Sequence, residues 1–90
     1  MAALRLHRDF ENHIVVRAYL DQLVRNDGLA PARTAAIGGA LDVAEKQRGG
    51  ARKAALTALA TAVTLDAENA KDAGKVRMMA TAIRELAAVR

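Results

Sequence analysis

An all-α fold is what these 90 residues predict: a compact, mostly antiparallel four-helix bundle with a long first helix, forming a single domain over residues 1–90. Three observations lead there. The breakers are few and regularly placed, at Asp27-Gly28, Pro31, Gly49-Gly50 and Gly74. The intervals between them are long and rich in Ala, the strongest helix former. Within them apolar residues recur at spacings of three and four, the period of a helix with one buried face. Short turns between such helices make sequential neighbours antiparallel.

The first helix can run from Ala2 to Asn26 without a Gly or Pro, and Asn26-Asp27-Gly28 supplies residues able to take positive φ at its end. Ile14-Val15-Val16 has strand character, yet no second strand candidate exists to pair with it. Pro31 suits the first turn of a second helix, because its missing N–H would be unpaired there anyway. That helix runs to Gln47 and is ended by Gly49-Gly50. A third takes Ala51 to Ala70, and a fourth takes Lys75 to Ala88 after the turn Asp72-Ala73-Gly74.

The faces follow from spacing. Val76, Met79, Ile83, Leu86 and Ala87 form the apolar side of the fourth helix, opposite Arg77, Thr81, Arg84 and Glu85. Leu56, Leu59, Val63 and Ala67 do the same in the third, with Thr57, Thr61 and Thr64 on a solvated face. In the second, Ile37, Ala40, Leu41 and Ala44 line up, and Gly38-Gly39 sits mid-helix despite a cost of roughly 1 kcal/mol per Gly. Such a cost points to close contact with another helix. The first helix differs, because Leu6, Phe10 and Ile14 define one direction and Val16, Leu20, Leu23 and Val24 another. At 1.5 Å per residue it is about 37 Å long against about 24 Å for the second, so its opening turns overhang a bundle of ordinary height. Leu4, Leu6 and Phe10 are then an apolar surface for a second copy or another protein. The alternative is that this segment bends over the bundle end as core.

The composition excludes much chemistry. There is no Cys, hence no disulfide, thiol nucleophile or thiolate metal site, and no Ser. The five Thr sit mostly on regular helix faces, so no nucleophilic triad can be assembled. No phosphate-binding glycine motif occurs. His7 with Glu11, and Asp9 with His13, stand one turn apart and could share a metal, but no third ligand in a recognisable motif joins them. His13 lies near the direction of Leu6, Leu20 and Val24, which fits a partly buried imidazole equally well. Carboxylates are scattered beside bases, as in Arg17 and Asp21 at i,i+4. The expectation is no enzyme, no cofactor, no metal and no small-molecule substrate.

The opening MAALRLHRDF carries charges at positions 5, 8 and 9 and no apolar run of signal-peptide length, and the longest uncharged stretch, Ala54 to Leu65, has twelve residues and is too short to span a bilayer. A native start at Met1 implies a cytoplasmic chain, whereas a module cut from a larger exported protein implies an extracellular one. Charge is uneven: residues 1–45 hold 5 Lys+Arg and 6 Asp+Glu, and residues 46–90 hold 9 and 4. Lys46, Arg48, Arg52 and Lys53 cluster around Gly49-Gly50, just before a helix N-terminus whose free N–H groups and dipole attract anions. Phosphate, nucleic-acid backbone or an acidic protein surface would suit it. Aromatic stacking residues are missing there, and a net charge of +4 is modest for a dedicated DNA binder.

From Tyr19 to Leu86 the chain resembles the FIMAH family, small helical modules appended to bacterial extracellular enzymes and surface proteins. The resemblance rests on Tyr19-Leu20-Asp21-Gln22-Leu23-Val24, then Asn26-Asp27-Gly28-Leu29, and Ala40-Leu41-Asp42-Val43-Ala44-Glu45. It continues through Ala54-Ala55-Leu56-Thr57-Ala58-Leu59 to Val63 and ends with Ala82-Ile83-Arg84-Glu85-Leu86. The turn around Arg48-Gly49-Gly50 is about one helical turn shorter than the family's, and the third helix lacks its aromatic. The resemblance implies a non-catalytic accessory module and transfers no catalytic residue. The expected function is protein interaction, with a protein partner or homodimer through Leu4, Leu6 and Phe10. A small basic protein binding nucleic acid through Lys46, Arg48, Arg52 and Lys53 is the alternative.

Overall fold

Among the described residues the chain forms four α-helices and no strand: α1 (Ala2–Arg25), α2 (Pro31–Lys46), α3 (Gly49–Asp66) and α4 (Ala73–Ala88). A one-turn 3-10 helix, Ala67–Asn69, continues α3. The structure is a computed structural model that describes residues 2–88, with side chains from residue 13 to residue 88. The Ile14-Val15-Val16 run lies inside α1.

The helices touch around a ring, α1 to α2, α2 to α3, α3 to α4 and α4 back to α1. Connections of a few residues force each sequential neighbour to reverse direction. Side-chain pairs mark that reversal. Arg17 of α1 reaches Asp42 and Glu45 late in α2, and Arg33 early in α2 reaches Asp66 at the end of α3. The result is an up-down-up-down four-helix bundle in which α1 and α3 share a direction across the diagonal.

The expected faces of α3 and α4 are buried, from Leu56, Leu59, Val63 and Ala67 to Val76, Met79, Ile83, Leu86 and Ala87. On α2, Ile37, Leu41 and Ala44 are buried, and Ala40 packs against them partly covered. On α1 the described core residues are Val16, Leu20 and Leu23, whereas Val24, grouped with them by spacing, is 56% exposed because it follows Leu23 by one residue and points off that face. Leu29 closes this end of the core. Buried Ala44, Ala60, Ala67, Ala80, Ala82 and Ala87 keep the helices close where a larger side chain would hold them apart.

Two boundaries differ from the sequence reading. The α2 helix stops at Lys46, and Gly49-Gly50 opens α3 rather than ending α2. Gln47 and Arg48 are extended, at φ −94° and −136°, and Gly49 has φ +60°, a conformation open to glycine at little cost. Chain reversal is complete in two residues. Asp72 caps α4 instead of belonging to a longer turn: its Oδ1 accepts the Lys75 N–H at 3.1 Å and its carbonyl accepts the Val76 N–H at 3.1 Å. Ala73 and Gly74 are therefore already helical.

Close backbone approach is also placed differently. A Cβ on Gly38 would meet Leu20 Cδ2 at an ordinary 3.7 Å, and one on Gly39 would meet nothing within 4 Å. The crowded glycine is Gly28, where a Cβ would lie 2.8 Å from Leu23 Cδ2 and 2.9 Å from Asp72 Cβ. The positive φ at the end of α1 belongs to Asp27, at 56°. Around it the Gly28 N–H donates to the Leu23 carbonyl at 2.9 Å and the Asp27 N–H to the Val24 carbonyl at 3.5 Å, a Schellman closure.

Candidate functional site

Leu4, Leu6 and Phe10, the expected contact residues, lie outside the residues whose side chains are described. What is described is the helix that carries them and the surface that follows. At 24 residues α1 is about 36 Å long, close to the 40 Å long axis of the molecule, while α2 with 16 residues reaches about 24 Å. The far end of α2 and the start of α3 meet α1 at His13, through Glu45 and Arg52. Eleven residues of α1 precede that level. Immediately after it, Ile14 is 52% exposed and Val15 43% exposed.

Two shallow grooves border this part of α1. One, open and about 680 Å³, is lined by His13, Ile14, Arg17, Ala18 and Glu45. The other, about 240 Å³, runs between α1 and α4 and is lined by Val15, Tyr19, Met78, Thr81, Ala82 and Glu85. Met78 is itself 53% exposed.

The basic cluster divides. Lys46, Arg48 and Lys53 are exposed around the α2–α3 connection. Arg52 is half-buried, with Nη2 3.1 Å from His13 Nε2. The start of α3 has Arg48 as its N-cap with no side-chain hydrogen bond to the helix, so backbone N–H groups and three exposed cations share one end of the bundle.

At the same end lies a polar junction that spacing along the chain does not reveal. Arg17 bonds Glu45 Oε2 through Nε at 3.1 Å and Nη2 at 2.9 Å, and Nη2 also bonds Asp42 Oδ1 at 2.7 Å. The hydrogen bond that Arg17 donates to Asp42 raises its already high pKa, desolvation by burial opposes it, and the bond donated to Glu45 adds to the rise. The i,i+4 partner expected for Arg17, Asp21, bonds Arg25 instead at 3.0 Å. Arg17 can bond two carboxylates across the helix interface, which outcompetes one exposed carboxylate on its own helix. The only sequence sign of this was Asp42 and Glu45 at i,i+3 on the polar side of α2.

Other hydrogen bonds among the described residues run within α3 and α4 or between them. Thr61, Thr64 and Thr81 donate their hydroxyls to the carbonyls of Thr57, Ala60 and Arg77 one turn back, and Arg84 Nη2 donates to Thr64 Oγ1 at 3.0 Å. Among the described residues no three His, Cys, Asp or Glu side chains come together as a metal site. Among them, too, no helix is long and apolar enough to cross a membrane. Compared with family models, curated proteins and solved structures, the chain matches none.

Proposed function

We propose that this chain is a non-catalytic helical interaction module that binds a protein partner, or a second copy of itself, through the N-terminal half of α1. The observation that carries the reading is the exposed pair Ile14 and Val15, placed where α1 leaves the level of α2 and α3 and directly after the segment holding Phe10, Leu6 and Leu4. Apolar side chains on a helix that outruns its neighbours gain most by covering against another surface. The resemblance of residues 19–86 to FIMAH modules supports an accessory role of the same kind, in a larger bacterial protein.

Sedimentation of the full chain over a range of concentrations tests self-association directly. A mass approaching twice 9.5 kDa, returning to one chain in Phe10→Glu, is the expected result. A monomer at every concentration would reject the homodimer and leave a different protein as the partner.

A second reading has its own observation, the exposed Lys46, Arg48 and Lys53 beside the N-terminus of α3. This edge suits a nucleic-acid backbone. Salt separates the two readings, since a phosphate complex weakens steeply with ionic strength and an apolar contact does not.

A further inference from the structure

The cations of this chain divide by face. Every described arginine side chain of α1 and α2 holds a carboxylate: Arg17 bonds Asp42 and Glu45, Arg25 bonds Asp21, and Arg33 bonds Asp66. On α3 and α4, by contrast, Lys53, Arg77 and Arg84 are exposed and form no ion pair among the described residues. Arg52 is turned away from them, toward His13. The imbalance follows from composition, since residues 46–90 hold 9 Lys+Arg against 4 Asp+Glu and residues 1–45 hold 5 against 6.

Spacing and one bond bring the three cations onto a single surface. Along α3, Lys53, Thr57, Thr61 and Thr64 follow one another at four, four and three, and all are exposed. Along α4, exposed Arg77, Thr81 and Arg84 do the same at four and three. Arg84 Nη2 donates to Thr64 Oγ1 at 3.0 Å, which lays the two rows side by side. Beneath them Ala60, Ala80 and Ala87 are buried and let the two helices approach closely. The neighbouring carboxylates stand at the margins: Glu68 lies one turn past Thr64, and Glu85 borders the groove toward α1. No acidic residue occupies the first turn of α3 or α4, so the positive ends of their dipoles add to this charge instead of offsetting it.

We propose that the outer face of the α3–α4 pair binds the phosphate backbone of double-stranded DNA through Lys53, Arg77 and Arg84. Charge complementarity selects a polyanion, and the side chains between the cations select which one. Threonine and alanine offer no large apolar group to enter a lipid bilayer or to cover a protein core. Both aromatics of the chain, Phe10 and Tyr19, belong to α1, so the face has nothing on which single-stranded bases would stack. The hydroxyls of Thr61, Thr64 and Thr81 donate to carbonyls of their own helices and are not free to read the ribose 2′-hydroxyls of an RNA duplex. Phosphate contacts made by rigid helices remain, and from Lys53 to Thr64 they cover about 16 Å, the rise of about five base pairs. The face lies opposite the α1–α2 pair in the ring of helices, so DNA here leaves α1 open to its own partner. It rests on the second reading above and deepens it, because the nucleic acid lies along a helical face rather than only at the α2–α3 connection.

The test uses the full chain and a fluorescein-labelled DNA duplex of about 20 base pairs, with fluorescence anisotropy read from about 50 to 200 mM salt. The expected result is binding that weakens steeply with salt. Arg77→Gln combined with Arg84→Gln should lower affinity at least about tenfold at the low-salt end and flatten the log–log salt slope by about 2. Arg25→Gln, which removes a cation already held by Asp21, should change affinity less than about twofold. In the ¹⁵N-labelled unsubstituted chain, DNA should move the amide signals of Thr57, Thr61 and Thr81 and leave those of Asp21 and Asp42 in place. That arm does not depend on whether the double variant folds. Absence of duplex binding at the low-salt end, with or without capture of phosphatidylserine vesicles or polyglutamate, would overturn both this proposal and the second reading. Binding lost in Lys46→Gln with Arg48→Gln but unchanged in the Arg77 and Arg84 variant would keep that reading and overturn the α3–α4 face. Tighter binding of an RNA duplex of the same sequence would overturn the assignment to DNA.

Discussion

The Gly28 carbonyl accepts the Asp72 backbone N–H at 2.9 Å, tying the turn that closes α1 to the cap that opens α4. These residues are 44 positions apart in sequence, and the bond fixes which ends of the helices share one pole of the bundle. The contact requires Gly28 because the space for a Cβ is already taken by Leu23 and by the β-carbon of Asp72. Gly28→Ala should therefore destabilise the fold by about 1–3 kcal/mol, the range for overpacking a filled site. Thermal unfolding followed by circular dichroism reads this as a fall of at least several degrees, and an unchanged midpoint would show that the turn can shift without cost.

Asp27 offers the opposite substitution. Its φ of 56° is the left-handed conformation that a side chain disfavours, so Asp27→Gly relieves strain in the folded state. Extra freedom of glycine in the unfolded chain offsets part of the gain, leaving about 0.5 kcal/mol of stabilisation. Denaturant unfolding should show a higher midpoint with an unchanged slope; a lower midpoint would mean that the Asp27 side chain supports the turn.

Arg33 and Asp66 form a two-bond pair, Nε to Oδ1 at 2.9 Å and Nη2 to Oδ2 at 3.0 Å, joining the start of α2 to the end of α3. The Arg33 side chain is 42% exposed, so solvent screening holds the pair's worth to about 1 kcal/mol at most. Asp66 also stands near a helix C-terminus, where a negative charge is unfavourable by about 0.3–1 kcal/mol. Asp66→Ala should accordingly cost less than 1 kcal/mol, and the loss should shrink further in high salt. The hydrogen bond to Asp66 raises the pKa of Arg33, so on the arginine side the contribution is fully present below the unfolded value and lost only as pH rises through the still higher folded one. Across neutral pH that contribution is flat, and a pH-dependent difference between wild type and Arg33→Gln from pH 7 to pH 9 would contradict it.

Gly39 provides a test of helix propensity alone. With open space around its missing Cβ and helical backbone, Gly39→Ala should stabilise by about 0.5–1 kcal/mol. Gly38→Ala, 3.7 Å from Leu20 Cδ2, should gain a similar amount or slightly less. Destabilisation at Gly39 would mean that something covers this face of α2 in solution.

The contrast between these glycines shows what spacing along the chain can carry. Period and breaker residues located all four helices, because burial of Leu56, Met79 or Ile83 depends on local pattern once a core exists. In sequence Gly28 reads as a turn residue and Gly38-Gly39 as the close contact, and only the arrival of Asp72 from across the bundle makes Gly28 the crowded one. The junction at Arg17 was hidden for the same reason. Asp21 is the neighbour in sequence, but antiparallel docking of α2 brings Asp42 and Glu45 within reach. The basic cluster around Gly49-Gly50 was legible as composition, whereas the engagement of Arg52 with His13 depends on the height at which α3 begins across the bundle from α1.

A chain spanning residues 13–90 tests the central claim most directly, by helicity, thermal unfolding and solution mass measured beside the full chain. Every described core residue, from Val16 to Ala87, remains in it. The account predicts a cooperatively folded monomer with the full chain's unfolding behaviour at low concentration, and loss of any association the full chain shows. An unfolded or molten product would contradict it, because the start of α1 would then be core rather than contact surface.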